Sequence, residues 1–331
     1  MRWEKKNPIE GKGKVAERAS GGASSDPEEE LQARVAWYYY VGNLTQQQIA
    51  TRIGSNRVRV NRLLAAGRES GLVQITINSK IAACVELEQR LIDGYGLADA
   101  IVVPTPDRAE HVRDAIGVGA GAYLSKTIAD GTTIGIGWGR TLRAVLRAIQ
   151  GRDYQAVSIV ALLGGLSHVS GINTFEIVSA LADLFNADQH FFAAPIYASS
   201  EKARDIILQQ GAIRETYEKA RKADLAIITV GDMVESLVVT YGLGGGDQVK
   251  TLMAAGAVGD VIGHFIDANG DIVDHPLNRR TIAISLEGLR GIRKVVLVAG
   301  GRKKIDIMRA ALRGRYVTVL VTDEHSAKRL L

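Results

Sequence analysis

Apolar positions along this chain follow two rhythms, and the change between them falls near residue 79. Before it they recur at helical spacing. From Glu28 to Gly42 the pattern EEELQARVAWYYYVG sets Leu31, Val35, Tyr38 and Tyr39 on one helical stripe, with Asp26 and Pro27 as its start signal. Thr45, at the end of Asn43-Leu44-Thr45, is placed to cap a short helix TQQQIATRIG that turns Ile49 and Ile53 inward. Gly54 ends that helix and Ser55 is placed to cap a third, NRVRVNRLLAAGRES, whose apolar side is Val60, Leu63 and Leu64. Gly71 closes the third helix, and the alternating VQITIN that follows predicts a short wing strand.

After residue 79 the apolar residues come in short, mostly β-branched runs that end at Gly, Pro or Asp. These are AIVVP (100–104), TTIGIGWG (132–139), VSIVALLGG (157–165), LAIITVG (225–231), VIGHFID (261–267), VVLVAGG (295–301) and VTVLVTD (317–323). Helical stretches such as HVRDAIGVGAGAYLSKTIAD, TFEIVSALADLF and KKIDIMRAALRG lie between most of them. That alternation predicts βαβ units and a largely parallel sheet buried on both faces. The organisation expected is a disordered tail (1–27), a helix-turn-helix domain (28–79) and a large α/β domain (80–331).

Charge separates the same two regions. Residues 31–79 carry six Arg (34, 52, 57, 59, 62 and 68) against the single acid Glu69, whereas 80–331 is nearly balanced within a chain of net charge +5. A small basic unit beside a neutral body is the footprint of nucleic-acid binding. No apolar run reaches the ~20 residues of a membrane helix, and the first residues, MRWEKKNPIEGKGK, lack the hydrophobic stretch of a secretory signal. The single cysteine, Cys84, allows no internal disulfide and reads as a small buried apolar side chain in a cytoplasmic protein. The six His residues show no metal-ligand spacing, so neither a metal nor another cofactor is expected.

Candidate chemistry follows from the elements. Ser55, Asn56, Arg57, Arg59, Asn61 and Arg62 would project from the start of the third helix, where Arg can fork onto guanine and Asn onto adenine in double-stranded DNA. Gln46 and Gln47 open the preceding helix and could pin a phosphate. In the large domain, GTTIGIGWGRTLRAVLRAI (131–149) ends a strand with Gly135, Gly137 and Gly139, and Thr141 opens a helix whose dipole attracts an anion. Neither the G-x-x-G spacing of a dinucleotide fingerprint nor a clear acid about 20 residues on accompanies the run, so a phosphate cradle is the better reading. Ligands of parallel sheets bind at the carboxyl ends of strands. The loops to watch are GWGRT, LLGGLSH, APIYASS, VGDM, GAVGD and AGGRKK.

Beyond residue 30 the chain resembles the SorC-type (SorC/DeoR) sugar-responsive transcription regulators. The motifs that carry the resemblance are GIGWGRTL, LLGGL, GAVGDVIGHFIDANGDIV, LEGLRGIRKVVLVAGGRKKIDIMRAAL and VTVLVTDEHSAKRLL. It implies a winged helix-turn-helix joined to a Rossmann-like α/β domain related to sugar-phosphate isomerases and deaminases. It also implies a phosphorylated sugar or polyol as effector, operator DNA as partner, and a homotetramer. Carried over by position, Gly139, Arg140 and Thr141 would hold the phosphate and Asp260 and Lys304 the sugar end. Gly164, Gly165 and Asn173 would line the same pocket. Leu163 stands where some members have Arg, which argues against a bisphosphate, and SNRVRVNR departs from the family's usual recognition helix. The related fold keeps a sugar-phosphate isomerase or deaminase as the alternative, with Asp232, Asp260 or Asp267 as base and Lys304 as an imine-forming amine. Fusion to a DNA reader favours a sensor, and a repressor of a catabolic operon is the expected role.

Overall fold

The computed structural model describes residues 26–73, 80–166, 173–235, 239–240 and 246–331. Contacts divide the chain into a unit ending at Ile77 and a second unit from Asn78 to Leu331. The expected tail (to residue 25), the wing strand after Val73 and His168 lie outside the described residues.

The first unit holds three helices, α1 (Pro27–Tyr40), α2 (Gln46–Arg52) and α3 (Arg57–Glu69). Pro27 sits in the first turn of α1, where its missing N–H costs nothing, and Asp26 accepts the amide of Glu28 at 3.1 Å. A reciprocal capping box between Thr45 and Gln48 starts α2. The cap of α3 differs from expectation. It is Asn56, whose side chain accepts the Arg59 amide at 2.9 Å, while the amide of Ser55 bonds back to the Ala50 carbonyl at 2.8 Å and holds the turn closed. Gly54 makes that turn at φ +63°, a conformation other residues adopt only at a cost. Val35, Ala36, Ile49, Ala50, Val60, Leu63 and Leu64 form a small buried core. Leu31, Tyr38 and Tyr39 of the predicted stripe pack at its edge, half-buried.

The second unit is built on α4 (Lys80–Tyr95), β1 (Asp99–Val103), α5 (Val112–Thr127), β2 (Thr133–Ile136), α6 (Arg140–Ala148), β3 (Ser158–Ala161), α7 (Thr174–Phe185) and β4 (Asp188–His190). Then come α8 (Glu201–Gln209), α9 (Gly211–Arg221), β5 (Leu225–Ile228), β6 (Val230–Asp232), α10 (Gly246–Ala254), β7 (Gly259–Val261) and β8 (His264–Ile266). The chain closes with α11 (Leu286–Arg290), β9 (Lys294–Val298), α12 (Ile305–Arg313), β10 (Val319–Asp323) and α13 (Glu324–Leu330). Seven strands make one sheet in the order β1-β10-β9-β5-β2-β3-β4, with every neighbouring pair parallel. Strands β3, β5 and β10 are buried at every position, as continuous apolar runs covered on both faces require.

Two departures from the predicted strands have plain causes. VIGHFID is not one strand of the parallel sheet. Ile262 and Gly263 take left-handed conformations (φ +44° and +85°) and fold it into the antiparallel hairpin β7–β8, joined by β6 in a separate three-stranded sheet. Strand β4, Asp-Gln-His, carries no apolar signal because it is the outer edge of the large sheet.

The topology locates a crevice. From β2 the chain moves outward through β3 to β4, then returns and runs the other way from β5 through β9 and β10. Loops leaving β2 and β5 therefore diverge, and the gap at their carboxyl ends is the switch point where open α/β sheets bind ligands. Helices α5 and α6 close over this region unusually tightly. A Cβ on Gly117 would meet the carbonyl carbon of Ala144 at 2.8 Å, and one on Gly121 that of Ala148 at 3.0 Å. Those two glycines, one turn apart, set the register of the pair.

Candidate functional site

A cleft of about 720 Å³ opens at the carboxyl ends of β2, β5, β9, β10 and β1. Of the sequence-predicted effector residues, Gly139, Arg140, Thr141, Asp260 and Lys304 line it together, although they span 165 positions of chain. Gly164, Gly165 and Asn173 do not. The amide of Gly164 bonds to the Ile282 carbonyl at 2.8 Å, and a Cβ there would strike the carbonyl of Pro195 at 2.6 Å. Asn173 caps α7 through the amide of Thr174 and holds Leu166 through both its amide and its carbonyl. These three residues brace the loop after β3, away from the cleft. His264 is also outside. It is buried against the Ile284 carbonyl, and burial lowers its pKa to about 4, so it stays neutral.

One end of the cleft is positive. Gly139, at φ +115°, turns the chain into α6 without offering a side-chain cap. The first amide of α6 to bond backward is that of Arg143, which leaves the amides of Arg140, Thr141 and Leu142 pointing out of the helix end. Thr141 stands there buried. The glycine register of α5 and α6, continued one turn toward their starts, brings Arg113 beside Arg140. Both line the cleft, and together with burial this proximity lowers the Arg113 pKa. Arg113 makes no hydrogen bond or ion pair with any described residue, whereas Arg140 donates to the carbonyl of Glu235 at 2.9 Å.

The floor is a set of carboxylates with an amine. Asp232 accepts the amides of Val234 and Glu235 at 2.8 and 2.6 Å. Asp260 accepts the Gly263 amide at 3.0 Å through one oxygen, and its other oxygen is buried without a partner. Burial raises its pKa to about 6, against the pull of that amide and of Lys304. Lys304 donates to the Val230 carbonyl at 2.8 Å. Its pKa falls to about 8, chiefly through burial and further through Arg113 and Arg140, against Asp232 and Asp260. At the far end Thr105 donates to Asp323 at 2.8 Å, and Asp323 in turn receives the amide of Gly301 at 3.2 Å. A cluster with cations and bare amides at one end and an unpartnered carboxylate oxygen on its floor suits a ligand that carries an anionic group and hydroxyls. No group of His, Cys, Asp and Glu among the described residues could hold a metal.

Sequence reasoning missed Arg113, Thr105, Glu235 and Asp323. Applying the strand-end rule to AIVVP and VTVLVTD as well would have found the loops after β1 and β10. Arg113 had no such signal, because its position depends on how two helices pack.

In the first unit, Arg57, Arg59, Asn61, Arg62, Asn56 and Gln47 are exposed, and Gln46 and Ser55 are half-buried. Arg59 and Arg62 are free of ion pairs with described residues, and Arg57 bonds to Gln46 at 3.1 Å. The basic face is thus uncompensated. Val58, between two of these arginines in sequence, is an apolar side chain left 68% exposed. Because its carboxamide oxygen caps α3, Asn56 has only its amide hydrogens left to donate. No helix among the described residues is long and apolar enough to cross a membrane.

Known proteins place both units in one family. The Sugar-bind family, described as a sugar-binding domain, matches residues 79–331. The deoxyribonucleoside regulator of Bacillus subtilis (strain 168) is 33% identical over 308 residues, 92% of this chain and 97% of that protein. The erythritol catabolism regulatory protein EryD of Brucella abortus (strain 2308) is 31% identical over 310 residues, covering 93% and 98%. Among solved structures, the full-length sorbitol operon regulator SorC from Klebsiella pneumoniae superposes with a TM-score of 0.72 at 28% identity, over 90% of this chain and 97% of that one. Matched along both its helical and its α/β units, the chain belongs to the sugar-binding-domain family of SorC/DeoR-type transcriptional regulators.

Proposed function

We propose that this protein regulates an operon of carbohydrate or polyol catabolism by binding operator DNA through α2 and α3, and that a phosphorylated sugar or polyol in the cleft is its effector. The observation that carries the effector half is the joining of three features in one cleft: the uncapped start of α6, the Arg113–Arg140 pair and the unpartnered oxygen of Asp260. The anionic group sits on the amides of Arg140, Thr141 and Leu142, with the Thr141 hydroxyl and Arg140 donating to it. Asp260 accepts from a ligand hydroxyl, and Lys304 donates to another oxygen. One relative is named for erythritol catabolism, which supports a polyol-derived effector, and another for deoxyribonucleosides, which contain a sugar.

On this reading the protein works in the cytoplasm as a homotetrameric repressor, and the cleft reports on its ligand without transforming it. Two recognition helices must meet half-sites about 34 Å apart or a multiple of that, so an effector that prefers one subunit arrangement changes operator affinity only by its difference in affinity for the two. A thermal-shift series with sugar phosphates, polyol phosphates and the parent neutral sugars tests the effector, because a ligand of the folded state alone raises the melting temperature. Stabilisation by phosphorylated but not by neutral members is expected, and the same ligands should alter the retardation of upstream DNA. Turnover of any of them, lost in Asp260→Ala, would overturn the sensor reading in favour of an isomerase or deaminase.

A further inference from the structure

The positive end of the cleft is not left open to any anion. Asp232 receives the amides of Val234 and Glu235, and this tight turn after β6 presents Glu235 over the cleft. The Glu235 carboxylate pairs with Lys303, from the loop after β9, and its carbonyl receives the guanidinium of Arg140, the first residue of α6. Glu235 is also one of the two carboxylates whose charge acts on Arg113. Glu235 thus links the start of α6 to the loop after β9, elements that follow strands on either side of β5.

We infer that Glu235 is a resident counter-ion of the effector's anion seat, and that Arg113 with Arg140 takes over the anionic group when Glu235 is displaced. This rests on the reading of the cleft as an anion site and adds a selection rule to it. A bound anion must replace the attraction that Glu235 supplies and tolerate its charge nearby, so singly charged ligands gain little and a dianionic phosphate gains most. The Lys303–Glu235 pair is more than half exposed on both sides, so it is weak enough to be exchanged. Arg113, which has no hydrogen-bond or ion-pair partner among the described residues, is the cation left for the incoming group.

The test is a titration of the full-length protein with inorganic phosphate, read by melting temperature, in wild type, Glu235→Gln and Arg113→Met. Glutamine keeps the length of the side chain and the backbone contact to Arg140 while removing the charge. Glu235→Gln should bind phosphate about threefold to tenfold more tightly than wild type, and Arg113→Met about tenfold more weakly, with a neutral polyol equally ineffective on all three. A wild type that responds to phosphate while Glu235→Gln binds no better, or worse, overturns the counter-ion role alone. If neither inorganic phosphate nor any sugar phosphate stabilises any of the three proteins, the anion reading of the cleft falls and this inference with it.

Discussion

Asp260→Asn tests whether the cleft floor is built for a ligand at the expense of the free protein. Asp260 is 3% exposed, and its pKa rises from 3.8 to about 6 because burial disfavours the carboxylate more than Gly263 and Lys304 favour it. A rise of that size corresponds to about 3 kcal/mol by which the ionised side chain opposes folding at neutral pH. The sign follows from linkage. A carboxyl whose pKa is higher folded than unfolded leaves the protein most stable below the unfolded value, and stability is lost as pH rises from about 4 through about 6. Asparagine keeps an oxygen to accept the Gly263 amide and carries no charge, so it mimics the protonated acid. The variant should be more stable than wild type by about 2 to 3 kcal/mol at pH 7.5, with the difference shrinking toward zero by about pH 4. Urea unfolding of the ligand-free proteins at several pH values measures it. The same variant should bind the effector about tenfold or more weakly, since an amide donor now stands where a carboxylate accepted a hydroxyl. Lower stability of Asp260→Asn at pH 7.5, or a difference indifferent to pH, would refute the argument that a desolvated carboxylate lies there.

Other predictions separate binding from folding. Arg59→Ala with Arg62→Ala should leave the melting temperature within about 1 °C, as both are exposed and free of ion pairs with the described residues, yet abolish operator retardation at physiological salt. Asn56→Asp should retain stability to within about 0.5 kcal/mol, because Asp caps as well as Asn, while weakening DNA binding at least tenfold by facing a charge toward the phosphates. Asn56→Ala should cost about 1 kcal/mol in unfolding free energy. Asn173→Ala loses the bonds to Leu166 and Thr174 and should destabilise the α/β unit by about 2 to 4 kcal/mol, with effector affinity unchanged once the protein is kept folded. Loss of effector affinity in Asn173→Ala at full folding would return the loop after β3 to the site.

Periodicity alone divided this chain, because each pattern reports a local requirement. Period 3.6 with Thr45 and Gly54 in place made the helices α2 and α3 legible, and short β-branched runs with Gly or Asp at their ends made a parallel sheet legible. The residue chosen to cap α3 was not legible, since Ser55 and Asn56 are both good caps and the closing bond from Ser55 to Ala50 decided between them. The GWGRT loop could be named as a candidate phosphate cradle from its glycine-rich helix start, a local feature with a sequence signature, whereas Asp260 and Lys304 were named only through the family resemblance. Which strand ends share one cleft could not be named, because it depends on strand order. Placing β5 beside β2 and leaving β3 and β4 at the far edge brought Asp260 and Lys304 into one cleft with Thr141 and left Gly164, Gly165 and Asn173 as a brace outside it. Arg113 and Glu235 came only from packing. Two glycines let α5 close on α6, and a turn held by Asp232 brings Glu235 to the cleft, so their neighbours lie many residues away in sequence and leave no mark in any local pattern.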